Sequence, residues 1–229
     1  MRRSPVVNGW KSGRKKAPEV ITCQLYLITP PQFDPVSFGE TLATVLDAGK
    51  VACVQMRLKD TEDEAILRAA EALQPVCRDR GVMFLLNDRP DLARETGCDG
   101  VHVGQGDTAC AEARGLLGKS AVIGVSCHGS RQLAIDAVGA GADYVAFGAF
   151  FPTTTKKTKG IPPPDILSWW RDIGNVPAVA IGGITLDNAP SLIVEGADFL
   201  AVVSAVWDHE HGPANAVKAF NKVISETTA

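Results

Sequence analysis

Gly141-Ala-Asp-Tyr-Val-Ala-Phe147 is one of three closely matched phrases in the chain, with Gly97-Cys-Asp-Gly-Val-His-Val103 before it and Gly196-Ala-Asp-Phe-Leu-Ala-Val202 after it. Ala48-Gly-Lys-Val-Ala-Cys-Val54 is a looser fourth copy. Each places a glycine where a helix can stop, then a polar residue, then a short apolar strand. The repeated unit is therefore the end of a helix entering a sheet.

Working outward, further apolar runs lie between the copies: Val82-Met-Phe-Leu-Leu86, Ala121-Val-Ile-Gly-Val125, Pro177-Ala-Val-Ala-Ile181 and, first in the chain, Cys23-Gln-Leu-Tyr-Leu-Ile28. The count reaches eight strands. Helical patterns separate them: Phe38, Leu42, Val45 and Leu46 share one helical face, as do Leu133, Ala137 and Val138. Pro164 and Asp165 are placed to open a helix running through Trp169, and Thr185 to cap the next. Strands apolar throughout and alternating with helices imply parallel strands covered from outside. Eight such units match a single (β/α)8 TIM barrel. An open doubly wound sheet is the competing architecture, but Ile28 is followed by Thr-Pro-Pro rather than a Gly-x-Gly-x-x-Gly turn.

The barrel is expected over residues 21–229. Residues 1–20 carry Arg2, Arg3, Lys11, Arg14, Lys15 and Lys16 against Glu19, which reads as a basic disordered tail. With a net charge of −3 for the whole chain, the body is acidic, which argues against a nucleic-acid partner. No apolar run approaches the ~18 residues of a membrane span. The six cysteines contain no C-x-x-C pair and suit reduced thiols in the cytoplasm.

A barrel builds its active site at the carboxyl ends of its strands. After the second strand, Gln55, Arg57 and Lys59 alternate toward one side and suit a multiply charged anion. Asn87-Asp88 follows the third strand and Gln105-Gly-Asp107 the fourth, so two carboxylates can meet beside those cations and hold Mg2+. Taken singly, each aspartate also suits a helix N-cap. The fifth strand brings Ser126 and His128 to the mouth, and Ser126 also suits a cap. His102 fits either the site or a satisfied place in the core. Gly182-Gly183 and Val203-Ser204, after strands seven and eight, suit a phosphate held by backbone N–H groups. Two anionic pockets imply two phosphorylated small-molecule substrates.

In matching order, Gln55-x-Arg57-x-Lys59, Asn87-Asp88, His102-x-Gly104-Gln105-x-Asp107, Gly124-Val-Ser126-x-His128, Pro152-Thr153-x-Thr155-Lys156, Ala180-Ile-Gly-Gly-Ile184 and Val202-Val-Ser-Ala205 resemble the thiamine phosphate synthase family, whose barrel TenI-like proteins share. The resemblance covers about residues 23 to 207. It implies a Mg2+-dependent transferase that joins a pyrimidinylmethyl diphosphate to thiazole phosphate, or its carboxylated form, in an assembly that is often a homo-oligomer. On that resemblance, Gln55, Arg57, Lys59, Asn87 and Ser126 hold the pyrimidine diphosphate, and Asp88 and Asp107 ligate the metal. Thr153, Thr155, Lys156, Gly182, Gly183, Val203 and Ser204 hold the thiazole phosphate, with Arg57, Lys59, Ser126 and Lys156 as the catalytic set. The stretch from Phe147 to Gly160 then lies between the pockets, where it can close as a lid. Three positions depart from the family pattern: Leu58 and Gly106, where glutamate is usual, and Ala149, where proline is common.

Overall fold

The computed structural model describes residues 23–153, 160–163 and 165–229. Eight parallel strands close in sequential order into a barrel: β1 (Gln24–Ile28), β2 (Cys53–Met56), β3 (Met83–Asn87), β4 (Gly100–Val103), β5 (Val122–His128), β6 (Tyr144–Gly148), β7 (Ala178–Ile181) and β8 (Phe199–Val202). All eight expected strands are present. β8 pairs back onto β1 through Gln24 opposite Phe199 and Tyr26 opposite Ala201.

The helices among the described residues are α1 (Pro35–Ala48), α2 (Asp63–Arg78), α3 (Pro90–Thr96), α4 (Cys110–Leu117), α5 (Arg131–Gly139), α6 (Ile166–Ile173), α7 (Ala189–Glu195), the single turn α8 (Ser204–Trp207), and α9 (Pro213–Thr228). In α1, Asp34 accepts the Ser37 N–H at 3.0 Å, so the cap satisfies a donor that the first turn leaves orphaned. Phe38, Leu42, Val45 and Leu46 are buried on one face. At about 1.5–3 kcal/mol per fully buried large apolar side chain, that face holds the helix more firmly than its intrinsic propensity. Thr185 does not cap α7. Its N–H donates to Asn188 Oδ1 at 2.8 Å, and Asn188 Nδ2 donates to the Gly183 carbonyl at 3.0 Å. Residues 185–188 thus form a turn, and the helix starts later, with a proline in its first turn.

Strand alternation divides the apolar residues into two layers. Leu25, Leu27, Val54, Phe84, Val101, Ile123, Val145 and Leu200 face outward into the layer between strands and helices. Tyr26, Ile28, Cys53, Met83, Leu85, Val122, Tyr144, Ala146, Val179, Phe199 and Ala201 fill the barrel interior. One step further toward the mouth, the inward positions become polar.

The aspartates of the repeat explain why the phrase recurs. Asp99 accepts the Phe84 N–H at 2.9 Å, Asp143 that of Ile123 at 2.8 Å, and Asp198 that of Ala178 at 2.7 Å. Each aspartate also donates its own N–H to the carbonyl of that same residue. An even-numbered strand is thereby clamped at its entry to the preceding odd-numbered one. The looser copy has Lys50 instead, and Asn221 of α9 brackets its backbone, accepting from N–H and donating to C=O.

All six cysteines are free, and burial pushes the Cys23 and Cys127 thiols up to about 12. They pack as small apolar residues with no reactive thiolate. Among the described residues, no helix is long and apolar enough to cross a membrane.

Candidate active site

At the carboxyl ends of the strands, the barrel interior carries one continuous file of hydrogen bonds. Gln55 Nε2 donates to Asn87 Oδ1 at 2.7 Å, and Tyr26 Oη donates to Gln55 Oε1 at 2.9 Å. Tyr26 and Tyr144 hydroxyls are 2.9 Å apart, His102 Nδ1 is 2.9 Å from Tyr144 Oη, and His102 Nε2 is 2.8 Å from Ser126 Oγ. Burial pushes both phenols well above their ordinary pKa, so each keeps its proton at neutral pH. Strand register permits the file: Tyr144 sits opposite Gly124, and a Cβ on Gly124 would lie 1.8 Å from the tyrosine ring. That glycine makes room for the ring at the barrel axis.

Asp88 and Asp107 meet at the rim. Lys59 Nζ is 2.8 Å from Asp88 Oδ2, and the Gly104 N–H donates to Asp107 Oδ2 at 2.8 Å. Burial, then the hydrogen-bonded Asp88 carboxyl, push the Asp107 carboxyl above its ordinary value. Neither aspartate caps a helix. Arg89 and Ala109 occupy the cap positions of α3 and α4, and Asp88 adopts a left-handed φ of 65°. Arg89 fixes that turn by gripping Asp63 of α2 and Asp91 of α3. A carboxyl pair at the rim suits a hard divalent cation such as Mg2+. No group of three or more His, Cys, Asp or Glu side chains gathers among the described residues, so water and substrate oxygens would complete its shell.

Two cavities open here and share Ile28, Arg57, Ser126, Ala146, Ile181 and Ala201. The deeper one reaches Tyr26, Gln55, Asn87, His102 and Tyr144. The larger, with about 880 Å³ of empty space including its mouth, reaches Thr153, Gly182, Gly183, Val203 and Ser204. Gly182 and Gly183 have φ of 100° and 65°. A Cβ on the first would sit 2.2 Å from Ala149 Cβ, and one on the second 2.4 Å from the Pro152 carbonyl oxygen. The loop after β6 crosses directly over them, with the Phe150 and Phe151 N–H groups donating to the Ile181 and Gly182 carbonyls. The glycine pair therefore has a packing cause of its own, whatever ligand approaches it.

The residues expected from sequence converge in two sets. Gln55, Arg57, Asn87 and Ser126 border the deeper cavity; Thr153, Gly182, Gly183, Val203 and Ser204 border the larger. Arg57 and Ser126 border both, so the two expected pockets are lobes of one mouth. Lys59, beyond the end of β2, reaches Asp88. Ser126 lies within β5, where Ser130 is the helix cap. Leu58 packs partly buried against the outer core, while a side chain at Gly106 would meet open space. Thr155 and Lys156 lie outside the described residues, as do Pro164, residues 154–159 of the expected lid and the basic tail. The sequence reading missed Tyr26 and Tyr144 as site residues. Their signal is alternation: each lies on its strand in the same inward phase as Gln55 and His102.

Residues 25–206 match the family model described as thiamine monophosphate synthase. The chain is 62% identical over 202 residues to a thiamine-phosphate synthase of Rhodospirillum centenum, covering 88% of this chain and 98% of that protein. It is 47% identical over 206 residues to one from Hyphomonas neptunium, covering 88% and 93%. The solved thiamine phosphate pyrophosphorylase of Pyrococcus furiosus superposes with a TM-score of 0.78 at 29% identity, covering 90% of this chain and 97% of that one. With a family model matched across nearly the whole barrel and relatives this similar over most of their length, the chain belongs to the thiamine monophosphate synthase family.

Proposed function

We propose that this barrel mouth joins 4-amino-2-methyl-5-pyrimidinylmethyl diphosphate to thiazole phosphate, releasing thiamine phosphate and diphosphate. As a family member the chain is an enzyme of thiamine biosynthesis that transfers a pyrimidinylmethyl group. The observation that carries the site assignment is the meeting of Lys59, Asp88 and Asp107 at the rim, beside a mouth whose two lobes share Arg57.

Gln55, Asn87 and Ser126 hold the pyrimidine over the polar floor, and Arg57 and Lys59 engage its diphosphate. Asp88 and Asp107 hold Mg2+, which when bound neutralises charge on the departing diphosphate. Thr153, Thr155, Lys156, Gly182, Gly183, Val203 and Ser204 hold the thiazole phosphate. The bond from the pyrimidine methylene carbon to diphosphate oxygen breaks, and its electron pair leaves with the diphosphate. The pyrimidine amine stabilises the resulting carbocation, and the thiazole nitrogen lone pair forms the new C–N bond. No protein nucleophile takes part, which agrees with buried, protonated cysteines. Arg57 and Lys59 supply fixed positive charge where negative charge grows, and the lobes align the reactants. Bidentate Arg57 suits the oxygen atoms of either phosphate group.

The test is a coupling assay with each substrate withheld in turn and with the divalent cation supplied or chelated. Thiamine phosphate forming only in the complete mixture supports the assignment. A chain that binds the thiazole phosphate but never couples it is a barrel of the TenI-like kind.

A further inference from the structure

We propose that the interior hydrogen-bond file runs in one direction and fixes the Ser126 hydroxyl as an acceptor, so that the site selects an amino over an oxo substituent on the pyrimidine. This rests on the coupling activity proposed above. Tyr26, Tyr144 and His102 act as positioning residues through Ser126.

The direction follows from counting protons. Gln55 turns Nε2 to Asn87 and Oε1 to Tyr26, and an amide oxygen only accepts. Tyr26 therefore spends its one proton on Gln55. Cys53, which also hydrogen-bonds Tyr26, is held protonated by burial and is too weak an acceptor to draw that proton from the amide oxygen. Across the 2.9 Å contact, Tyr144 must then donate to Tyr26. With its proton used, Tyr144 accepts from His102 Nδ1, which must be the protonated nitrogen. In the neutral ring Nε2 is left as an acceptor, so Ser126 Oγ–H points to it across 2.8 Å. The serine proton is turned away from the cavity, and only its lone pairs can face a ligand there.

An exocyclic amine donates to such an oxygen. An oxo group, as in the 4-oxo analogue, brings acceptor against acceptor, and a site built to bond a donor rejects an analogue that lacks it. Gln105 Nε2, donating to the Ser126 carbonyl at 2.7 Å, holds the Ser126 end of the file, and Gly124, leaving space for the Tyr144 ring, holds its middle. The order hangs on one amide. Turning Gln55 over reverses every bond and makes Ser126 a donor.

Two measurements test the idea. The first is 15N NMR of the unliganded full chain, with the His102 signals assigned by comparison with His102→Asn. A neutral ring protonated on Nδ1 is expected; protonation on Nε2, or on both nitrogens, overturns the proposal. This needs neither substrate nor a folded Tyr144 variant. The second is the binding of 4-amino-5-hydroxymethyl-2-methylpyrimidine and its 4-oxo analogue, alcohols that cannot react, to wild type and to Tyr144→Phe. A preference for the amine of at least ~10-fold is expected, falling to within ~3-fold when the phenol oxygen is removed and the imidazole tautomer is freed. An unchanged ratio overturns the proposal. Coupling by the same wild-type preparation reports separately on the activity, so loss of one conclusion is not mistaken for loss of the other.

Discussion

Lys59 Nζ and Asp88 Oδ2 lie 2.8 Å apart, joining the end of one strand's loop to the start of the next. The pair joins the cationic side of the rim to the two aspartates proposed to hold the metal, because Asp88 also hydrogen-bonds Asp107, whose carboxyl is raised by burial and then by Asp88. On the proposed assignment, removing the ammonium takes away a charge aimed at the departing diphosphate. Lys59→Ala is expected to lower kcat/KM for coupling by about 10²- to 10³-fold, the usual cost of one electrostatic group aimed at the transition state. Steady-state kinetics at saturating Mg2+ measures it; a change under threefold removes Lys59 from the reaction.

Asp107→Asn keeps the shape of the side chain and its contact with Gly104 while removing the charge. The Mg2+ concentration for half-maximal coupling is expected to rise at least about 10-fold, while thiazole phosphate, proposed to bind in the larger lobe, binds as before. Magnesium titration of the rate, paired with calorimetry of thiazole phosphate binding, reads both effects.

Arg57 behaves differently because it borders both lobes. Arg57→Ala is expected to weaken thiazole phosphate binding as well as coupling, whereas Asp107→Asn spares the former. Equal binding in wild type and Arg57→Ala would confine the guanidinium to the diphosphate side.

The architecture was legible because a clamp repeats. Gly-x-Asp followed by an apolar strand recurs since each aspartate bonds an N–H near the start of the strand beside it. Its partner was not legible, because Phe84, Ile123 and Ala178 are found only from the register of neighbouring strands. Likewise, Gln55, Asn87, Asp88 and Asp107 stand out as polar residues at strand ends, while Tyr26 and Tyr144 sit inside apolar runs and look like ordinary core. Thr185 was misplaced as a cap because residues 185–188 form a turn and the helix begins only at Ala189, with Asn188 at the cap position, a delay that a capping pattern does not show.

The clamp also carries stability. Asp143 accepts the Ile123 N–H and pairs with the half-buried Arg114 at 2.5 Å. Truncating it leaves a guanidinium and a strand N–H without that carboxylate. Asp143→Ala is expected to cost about 3 kcal/mol. Asp99→Ala is expected to cost about 1 kcal/mol, since burial raises the Asp99 pKa and its folded-state charge already carries a desolvation penalty. Urea denaturation compares the two; equal midpoints would deny Arg114 a part in the clamp.

Gly124→Ala drives a methyl group into the Tyr144 ring, a contact of 1.8 Å that the packed interior cannot relieve by rotating a flexible tail. A loss of about 1–3 kcal/mol or more in stability is expected, with coupling falling further than stability alone explains because the polar floor is displaced. Thermal unfolding and kinetics on the soluble fraction distinguish the two losses.

The most direct measurement of the central claim is thiamine phosphate formation by the purified chain with both substrates, with each withheld, and with the divalent cation exhaustively chelated. Product and diphosphate in equal amounts are expected only from the complete mixture, with activity restored when Mg2+ is returned. No product from the complete mixture, or undiminished product after chelation, would contradict the account.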